Sequence, residues 1–422
     1  MNLKNIFIYY FLLLVVLCSW SDTVNAPNII FRLAYLVALV FPIFKAKPNM
    51  LPHILICFTS ISIYGFSASY LPTEYYYYTY IVLFLCILPF KNKKSHINIP
   101  PILIILATYT LVIDFIFYGK LENIQYGLFL IIFLIFFVSK DNKYNYLYPY
   151  VYIVITLTLC YFFFAVGDQF VVEHLGQDRV MWKDPNYMGS LAGVGIVCSY
   201  HLLTSKQYSK KIVKYILLAT ICIGAIMLMK NASRGAFICV ASGIIIITLF
   251  SKISLKKKIT IALLLLISIV LMYQIGLFSA LEERVMHDED GTGSGRTIIW
   301  AYKISLFLEQ PIYKLFTGLG YRGGFMLGFY DGYGFHNDFV AFFVDYGIIG
   351  TILFISFLLY PLIIVRKNKE QQAIVTALSV YLILCCMTLE PLSGGRLPFC
   401  YLYLFIYILA KQGINTKQNS MQ

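Results

Sequence analysis

A chain of 422 residues, of which 60% are hydrophobic and 13% charged, has too much apolar surface for a soluble protein. Its mean hydropathy of +0.77 and its repeated apolar runs of 15 to 20 residues predict a helical protein that crosses a membrane many times. The net charge of +13 is then expected to mark the cytoplasmic side of the membrane, which excludes nucleic acid as the main partner.

The apolar segments predict an all-α membrane fold with about 14 transmembrane helices, within a range of 12 to 14. Eleven are predicted near residues 5–20, 28–44, 50–66, 75–90, 100–117, 123–139, 148–166, 186–204, 213–229, 236–251 and 258–277. Three more are predicted near residues 336–365, 372–389 and 397–410. The first segment also fits a signal peptide, but no cleavage site follows Trp20, so we interpret it as a helix.

These spans divide the chain into four parts: helices 1–11 in residues 1–277, a loop at 278–335, helices 12–14 in 336–410 and a tail at 411–422. With the N-terminus in the cytoplasm, the short lysine-rich loops and both termini fall inside. Those stretches and their flanks then hold 21 of the 33 basic residues. This bias predicts that the tail is cytoplasmic and that the long loop is external.

The arginines are distributed differently from the lysines. Of eight arginines, only Arg366 is predicted inside. The others are Arg32, Arg179, Arg234, Arg284, Arg296, Arg322 and Arg396. A guanidinium holds a phosphate or carboxylate through two parallel hydrogen bonds, which a lysine ammonium cannot do. The external arginines therefore predict a bound anion, while the alternative that they pair with outer acids such as Glu173 or Glu390 stays open.

The external loop contains a predicted helix in "GSGRTIIWAYKISLFLEQP", residues 293–311. Ser294 is a suitable N-cap, apolar residues follow at helical spacing, and Pro311 ends the run. Arg296 lies in the first turn, where the free backbone amides of a helix also favour an anion. An amphipathic helix lying on lipid would show the same pattern, and both hypotheses are kept.

Two other stretches of the loop contain residue types that can bind a ligand. "GLGYRGGF", residues 318–325, places four glycines around Arg322, so its backbone can fold closely and present amides toward an anion. Glycine clusters usually mark turns, and the segment alone is a weak signal. The run Asp288, Glu289 and Asp290 lacks the alternating acids of a calcium loop, so we expect a solvated charge run and no metal.

The segment "GYGFHNDFVAFFVDYGIIG", residues 332–350, opens a predicted span with three polar residues. His336 is predicted outside, with Asn337 and Asp338 in the first turn of the helix. A neutral imidazole is the side chain best able to accept a proton from an attacking hydroxyl near pH 7. The competing hypothesis is that Asn337 or Asp338 caps the helix and His336 is structural.

In chain order, "DPNYMG", "NASRGAF", "GSGRTIIW", "GLGYRGG" and "HNDFVAFFVDYGIIG" resemble the O-antigen polymerase and O-antigen ligase superfamily, membrane glycosyltransferases of the Wzy type. The resemblance implies a GT-C-like fold in the bacterial inner membrane, with one large periplasmic loop and an active site facing the periplasm. It implies that the donor is a glycan carried on undecaprenyl pyrophosphate. It also implies that membrane lipid and a chain-length regulator protein are partners. No cofactor is expected, since arginines can stabilise a diphosphate leaving group without a metal.

The resemblance also implies roles for individual residues. Arg234 and Arg296 match the arginines that hold the pyrophosphate, and Arg322 is added from its glycine-rich context. His336 matches the histidine that acts as base or positions the acceptor, and Asp338 either orients His336 or is itself the base. The predicted supporting residues are Arg179, Asp184, Asn186 and Asn337.

The motifs favour a polymerase of O-antigen or capsule, which extends a lipid-linked repeat unit. A ligase that transfers the glycan to the lipid A core is the alternative. A transporter of lipid-linked sugars ranks lower, because it predicts several charges deep in the spans and helices broken at mid-membrane. Asp114 and Asp345 are the main acids within the predicted spans.

Overall fold

The computed structural model describes residues 98–118, 171–174, 177–180, 185–205, 211–230, 233–251, 296–328, 334–369, 371–394 and 397–412, with isolated positions elsewhere. The chain forms two compact units, the first from residues 1–97 and 134–231 and the second from 98–133 and 232–422. Apart from isolated positions, the spans predicted before residue 98, at 123–139, at 148–166 and at 258–277 lie outside the described residues. The count of 14 spans therefore stays a prediction.

Helices dominate the described residues, as predicted. The helices are α1 (Pro101–Tyr118), α2 (Pro185–Thr204), α3 (Lys211–Lys230), α4 (Arg234–Phe250), α5 (Arg296–Leu308), α6 (Ile312–Thr317), α7 (Asp338–Val365), α8 (Gln372–Thr388) and α9 (Leu397–Gln412). Among these described segments, α3 and α7 are long and apolar enough to cross a membrane, and five others are shorter apolar helices. The fold is therefore helical, and a polytopic membrane arrangement is consistent with it.

The first unit contains the only strands among the described residues. Strands β1 (Val171–His174) and β2 (Gln177–Val180) pair antiparallel, with Val171 opposite Val180. A search for long apolar runs cannot detect two strands of four residues, and the hairpin was not predicted. The hairpin precedes α2, which begins at Pro185 and packs against α3. Pro185 is the first residue of this helix, a position that suits proline because of its fixed φ angle.

The second unit is built around α7, which packs against α1, α8 and α9 along its length. Phe342 stacks on Phe354 with ring centroids 3.9 Å apart, and Tyr403 of α9 stacks on Phe357 at 3.7 Å. Helix α5 lies against the beginning of α7, where its fully buried Phe307 enters a small apolar cluster. The predicted amphipathic helix thus has a protein-packed face.

Two helices of this unit begin at capped residues. Helix α4 begins at Arg234, two residues before its predicted start, because the Ser233 side chain caps it by accepting from the amide of Ala236. Arg234 therefore lies in the first turn of a helix rather than in a loop. Helix α7 begins at Asp338 after the cap Asn337, close to the prediction.

Helix α7 is broken at Gly347, whose φ is +65°. The break frees the carbonyls of residues 344–346. These accept hydrogen bonds from Leu319 N (3.1 Å), Gly320 N (2.7 Å) and the hydroxyl of Tyr109 (2.9 Å). Because lipid offers no hydrogen-bond donors, this protein-provided pairing is what lets the helix break in an apolar surrounding.

Candidate active site

The polar segment at the start of α7 places its histidine at an exposed position. His336 has a left-handed backbone with φ +49°, and its amide donates to Oε1 of Glu390 at 2.6 Å. Asn337 caps the helix, since its Oδ1 accepts from the amides of Phe339 (2.9 Å) and Val340 (3.2 Å). Asn337 is therefore the N-cap of the helix. His336 precedes it and is held through its backbone amide.

Asp338 is fully buried, and its carboxylate is bound by the loop between α8 and α9. It accepts from the amides of Leu392 (3.0 Å) and Ser393 (2.9 Å) and from the Ser393 hydroxyl (2.5 Å). Its own amide donates to the carbonyl of Leu389 at 3.1 Å. These contacts tie the start of α7 to the loop between α8 and α9, and both roles predicted for Asp338 stay predictions.

Two of the three predicted pyrophosphate arginines, Arg234 and Arg296, lie near the C-terminal end of α8. Nη1 of Arg296 donates to the carbonyl of Thr388 at 3.0 Å, a favourable place for a cation because the negative end of the helix dipole is there. Gly235 packs so closely on Thr388 that a Cβ on the glycine would lie 2.8 Å from the threonine Oγ1. Arg234, the residue before Gly235, is therefore brought to the same helix end.

Three consecutive residues at the end of α8 thus contact three separate sequence motifs. Thr388 contacts the α4 and α5 starts, Leu389 binds the amide of Asp338, and Glu390 binds the amide of His336. We call Thr388, Leu389 and Glu390 the α8 corner. The sequence had suggested Glu390 only as a partner for arginine. A short stretch "EPLSGG" rich in Pro, Ser and Gly between two apolar helices was the signal that could have indicated it.

Helix α5 also holds the segment that leads to His336, through a second residue. The indole Nε1 of Trp300 donates to the carbonyl of Phe335 at 2.5 Å, immediately before His336. Arg296 and Trp300 are four residues apart and therefore share one face of α5. One face of this helix thus holds both the end of α8 and the backbone that leads to His336.

The glycine-rich loop differs from the prediction. The amide of Tyr321 donates to Oδ1 of Asp114 at 2.7 Å. The amides of Arg322 (3.1 Å) and Gly324 (2.9 Å) donate to the two oxygens of Asp345. These amides were expected to face a bound anion. They instead face the carboxylates of Asp114 in α1 and Asp345 in α7. These two residues are 0% and 5% exposed.

Arg322 itself is exposed at the surface of this loop. Its backbone is left-handed, with φ +59°, and its guanidinium carbon lies 5.5 Å from the ring centroid of Tyr321 and 5.3 Å from that of Phe325. Such distances correspond to cation–π contacts. The charged group is therefore supported by two aromatic rings, and its exposure leaves it accessible to an anion.

The remaining predicted site residues belong to the first unit. Arg179 lies in β2 opposite Val172, and its side chain is outside the described part. Asp184 also lies outside the described residues. Asn186 is the second residue of α2, where its carbonyl accepts from the Ser190 hydroxyl at 2.8 Å. Their supporting roles stay predictions.

Comparison with known proteins finds a similarity over part of the chain. No curated protein matches the chain. Residues 216–355 match a family model described as O-antigen ligase. The matched range contains Arg234, Arg296, the glycine-rich loop and His336. The match supports a glycosyltransferase-like enzyme of polysaccharide synthesis in the inner membrane, and it confirms the resemblance of this chain to the O-antigen polymerase and ligase superfamily.

Proposed function

We propose that the protein is a polysaccharide polymerase of the O-antigen or capsule type. It transfers a glycan from undecaprenyl pyrophosphate to a lipid-linked repeat unit at the outer leaflet of the cytoplasmic membrane. One observation carries the proposal: the α8 corner brings the segments of Arg234, Arg296 and His336 together around three consecutive residues. These are the two cations and the base that such a transfer requires.

In the proposed step, the acceptor hydroxyl oxygen forms a bond to the anomeric carbon while the bond from that carbon to the diphosphate oxygen breaks. Arg234 and Arg296 stabilise the negative charge that grows on the leaving diphosphate. His336 takes the proton of the hydroxyl, or fixes its direction of attack. Glu390 and Asp338 act through the backbone: Glu390 accepts the amide of His336, and Asp338, two residues further on, anchors the same segment to the amides of residues 392 and 393.

A ligase that uses the same donor and a lipid A core acceptor is the second candidate. The observation that favours it is the description of the matching family model as O-antigen ligase. Both reactions need the same cations and base, so the α8 corner supports either one. They differ only in the acceptor, and a comparison of acceptors distinguishes them.

Transport of lipid-linked sugars ranks below transfer. The break in α7 is the feature that a transporter would predict. Its freed carbonyls are bound by protein donors, and the buried acids Asp114 and Asp345 bind loop amides. This pairing supports a structural purpose for the break.

Arg296→Lys tests the proposed function directly. In the purified full chain, supplied with an undecaprenyl-pyrophosphate repeat unit, we expect the variant to lose at least about 100-fold in elongation rate. That is the usual cost of removing one donor to a developing anion, and lysine cannot replace a bidentate fork. Arg366→Lys at the far end of α7 is the matched control and should retain full activity.

The same assay decides between acceptors. A polymerase should lengthen the lipid-linked repeat and ignore a lipid A core acceptor, and a ligase should do the reverse. Wild-type turnover by Arg296→Lys would remove this residue from the leaving-group site. Protein that moves lipid-linked sugar across vesicles but forms no new glycosidic bond would replace the proposal with transport.

Trp300→Phe probes how α5 supports His336. The substitution keeps an aromatic ring but removes the donor to the Phe335 carbonyl. We expect elongation to slow by up to about tenfold, the equivalent of one ordinary hydrogen bond, with little change in thermal stability. Elongation kinetics and a thermal melt in detergent measure the two effects, and equal rates would show that this hydrogen bond does not position the base.

A further inference from the structure

Three buried charged side chains bind the backbone of the glycine-rich loop from three different helices. Asp114 of α1 and Asp345 of α7 accept the amides of residues 321, 322 and 324. Lys303 of α5 binds carbonyls of the same loop: its Nζ donates to those of Gly324 (2.9 Å) and Phe325 (3.2 Å). Asp114 and Lys303 are 0% exposed and Asp345 is 5% exposed. We call these three side chains the loop clamp.

Overall stability is a poor explanation for the loop clamp. Burying an ionisable side chain is costly, and well-packed apolar residues often give equal or greater stability. Buried charges that hold one backbone segment are therefore better explained by the conformation that they specify than by overall stability. Here the specified segment is the one that carries Arg322.

The clamp fixes Arg322 in a conformation that a free chain rarely adopts. Its left-handed backbone, at φ +59°, is held by its own amide on Asp345 and by the neighbouring amide of Tyr321 on Asp114. The Arg322 carbonyl accepts from the amide of Phe325 at 3.0 Å, which closes the turn. An arginine whose backbone is held this way loses less conformational entropy when it binds an anion.

Two helices that contribute to the loop clamp, α5 and α7, also contact the α8 corner. Lys303 is on α5 with Arg296, and Asp345 is on the first part of α7, which begins directly after Asn337. The first part of α7 ends at the break, so Asp345 and the His336 segment are separated by one short unbroken helix. The position of Arg322 relative to the segment that carries His336 is therefore fixed.

We propose that Asp114, Asp345 and Lys303 are positioning residues that preorganise Arg322 to bind the diphosphate of the lipid-linked donor. The identity of the ligand rests on the proposed function. The clamping of the loop rests only on the contacts of the three charges, so the two parts can fail separately.

Two matched substitutions test the clamp. Both oxygens of Asp345 accept amides, so Asp345→Asn turns an NH₂ group toward a backbone N–H and leaves one buried amide without an acceptor. Asp114 accepts one amide and the hydroxyl of Tyr346, at 3.0 Å. Asp114→Asn can accept that amide and donate to the hydroxyl, which is also an acceptor. The same change from Asp to Asn should therefore break an amide hydrogen bond at position 345 and preserve the one at position 114.

Amide hydrogen exchange in the detergent-solubilised full chain measures how firmly the clamp holds the loop, independently of any enzymatic function. We expect the amides of residues 322 and 324 to exchange at least about tenfold faster in Asp345→Asn and at the wild-type rate in Asp114→Asn. Equal behaviour of the two variants overturns the clamp. If Asp345→Asn does not fold, Lys303→Met replaces it, since it removes the donor to residues 324 and 325. Unchanged exchange in that segment then counts against the proposal.

Kinetics test the link to Arg322. Arg322→Ala should raise the KM for the undecaprenyl-pyrophosphate donor about tenfold or more, with a smaller change in kcat, because it removes binding common to ground and transition states. Asp345→Asn should give a similar rise, and the double variant no more than Arg322→Ala alone. Additive effects would show that Asp345 does not act through Arg322. A wild-type KM in Arg322→Ala would overturn donor binding, while loss of transfer in Arg296→Lys would still support the proposed function.

Discussion

His336→Asn is expected to lower glycan transfer by about 10²- to 10⁴-fold, the range for loss of a positioned general base. Asparagine is the informative replacement because it tolerates a left-handed backbone better than most residues. It keeps φ near +49° and leaves the amide free to bind Glu390. Alanine would add a backbone cost of about 1–2 kcal/mol and would confuse loss of a base with loss of the turn.

Two measurements separate a chemical role of His336 from a structural one. The thermal midpoint of His336→Asn in detergent should stay close to that of the wild type, since the Asn337 cap and the Asp338 contacts are unchanged. Added imidazole should restore part of the lost rate if the missing group is a base. Normal turnover in the variant, or a loss of rate that follows a loss of folded protein, would rule out His336 as the base.

Gly347→Ala is expected to disrupt the second unit. At φ +65° a non-glycine residue costs about 1–2 kcal/mol. A Cβ there would also lie 2.4 Å from the carbonyl oxygen of Phe316 and 2.7 Å from the amide of Gly318. Backbone atoms cannot move aside as a flexible side chain can, so overpacking adds about 1–3 kcal/mol. We expect a clearly lower thermal midpoint and poor yield of folded protein.

Gly334→Ala is the matched control for Gly347→Ala. A Cβ at position 334 would lie 3.4 Å from the Glu390 carboxylate, an ordinary contact. The thermal midpoint of Gly334→Ala should therefore match the wild type. If Gly347→Ala melts at the same temperature as this control, α7 can continue through position 347 as a regular helix, and the break is not required for folding.

The helices could be predicted because each is a local property of the sequence. The span expected at residues 372–389 is the helix Gln372–Thr388, and the helix expected to carry Arg296 in its first turn begins at that residue. The differences have local causes as well. Ser233 caps α4 earlier than the apolar run suggested, and the strands Val171–His174 and Gln177–Val180 are too short to register as periodic segments.

The site was only partly predictable, because its contacts join distant parts of the chain. Arg296 and His336 were identified by residue type and motif. The partner of the Tyr321 amide is Asp114, 207 residues away, and no local pattern marks that pair. The role of Lys303 was also missed, since one lysine in an amphipathic helix normally faces solvent. Its complete burial follows from tertiary packing.

The bonds of Asp338 have a consequence for biogenesis. Its carboxylate depends on the amides of residues 392 and 393, which the ribosome adds at least 54 residues later. During synthesis, α7 therefore forms with an acid at its edge that has not yet met these donors. The histidine segment can reach its final geometry only after α8 has formed and the chain has turned back. A truncated or stalled chain would then lack the geometry on which the proposed transfer depends.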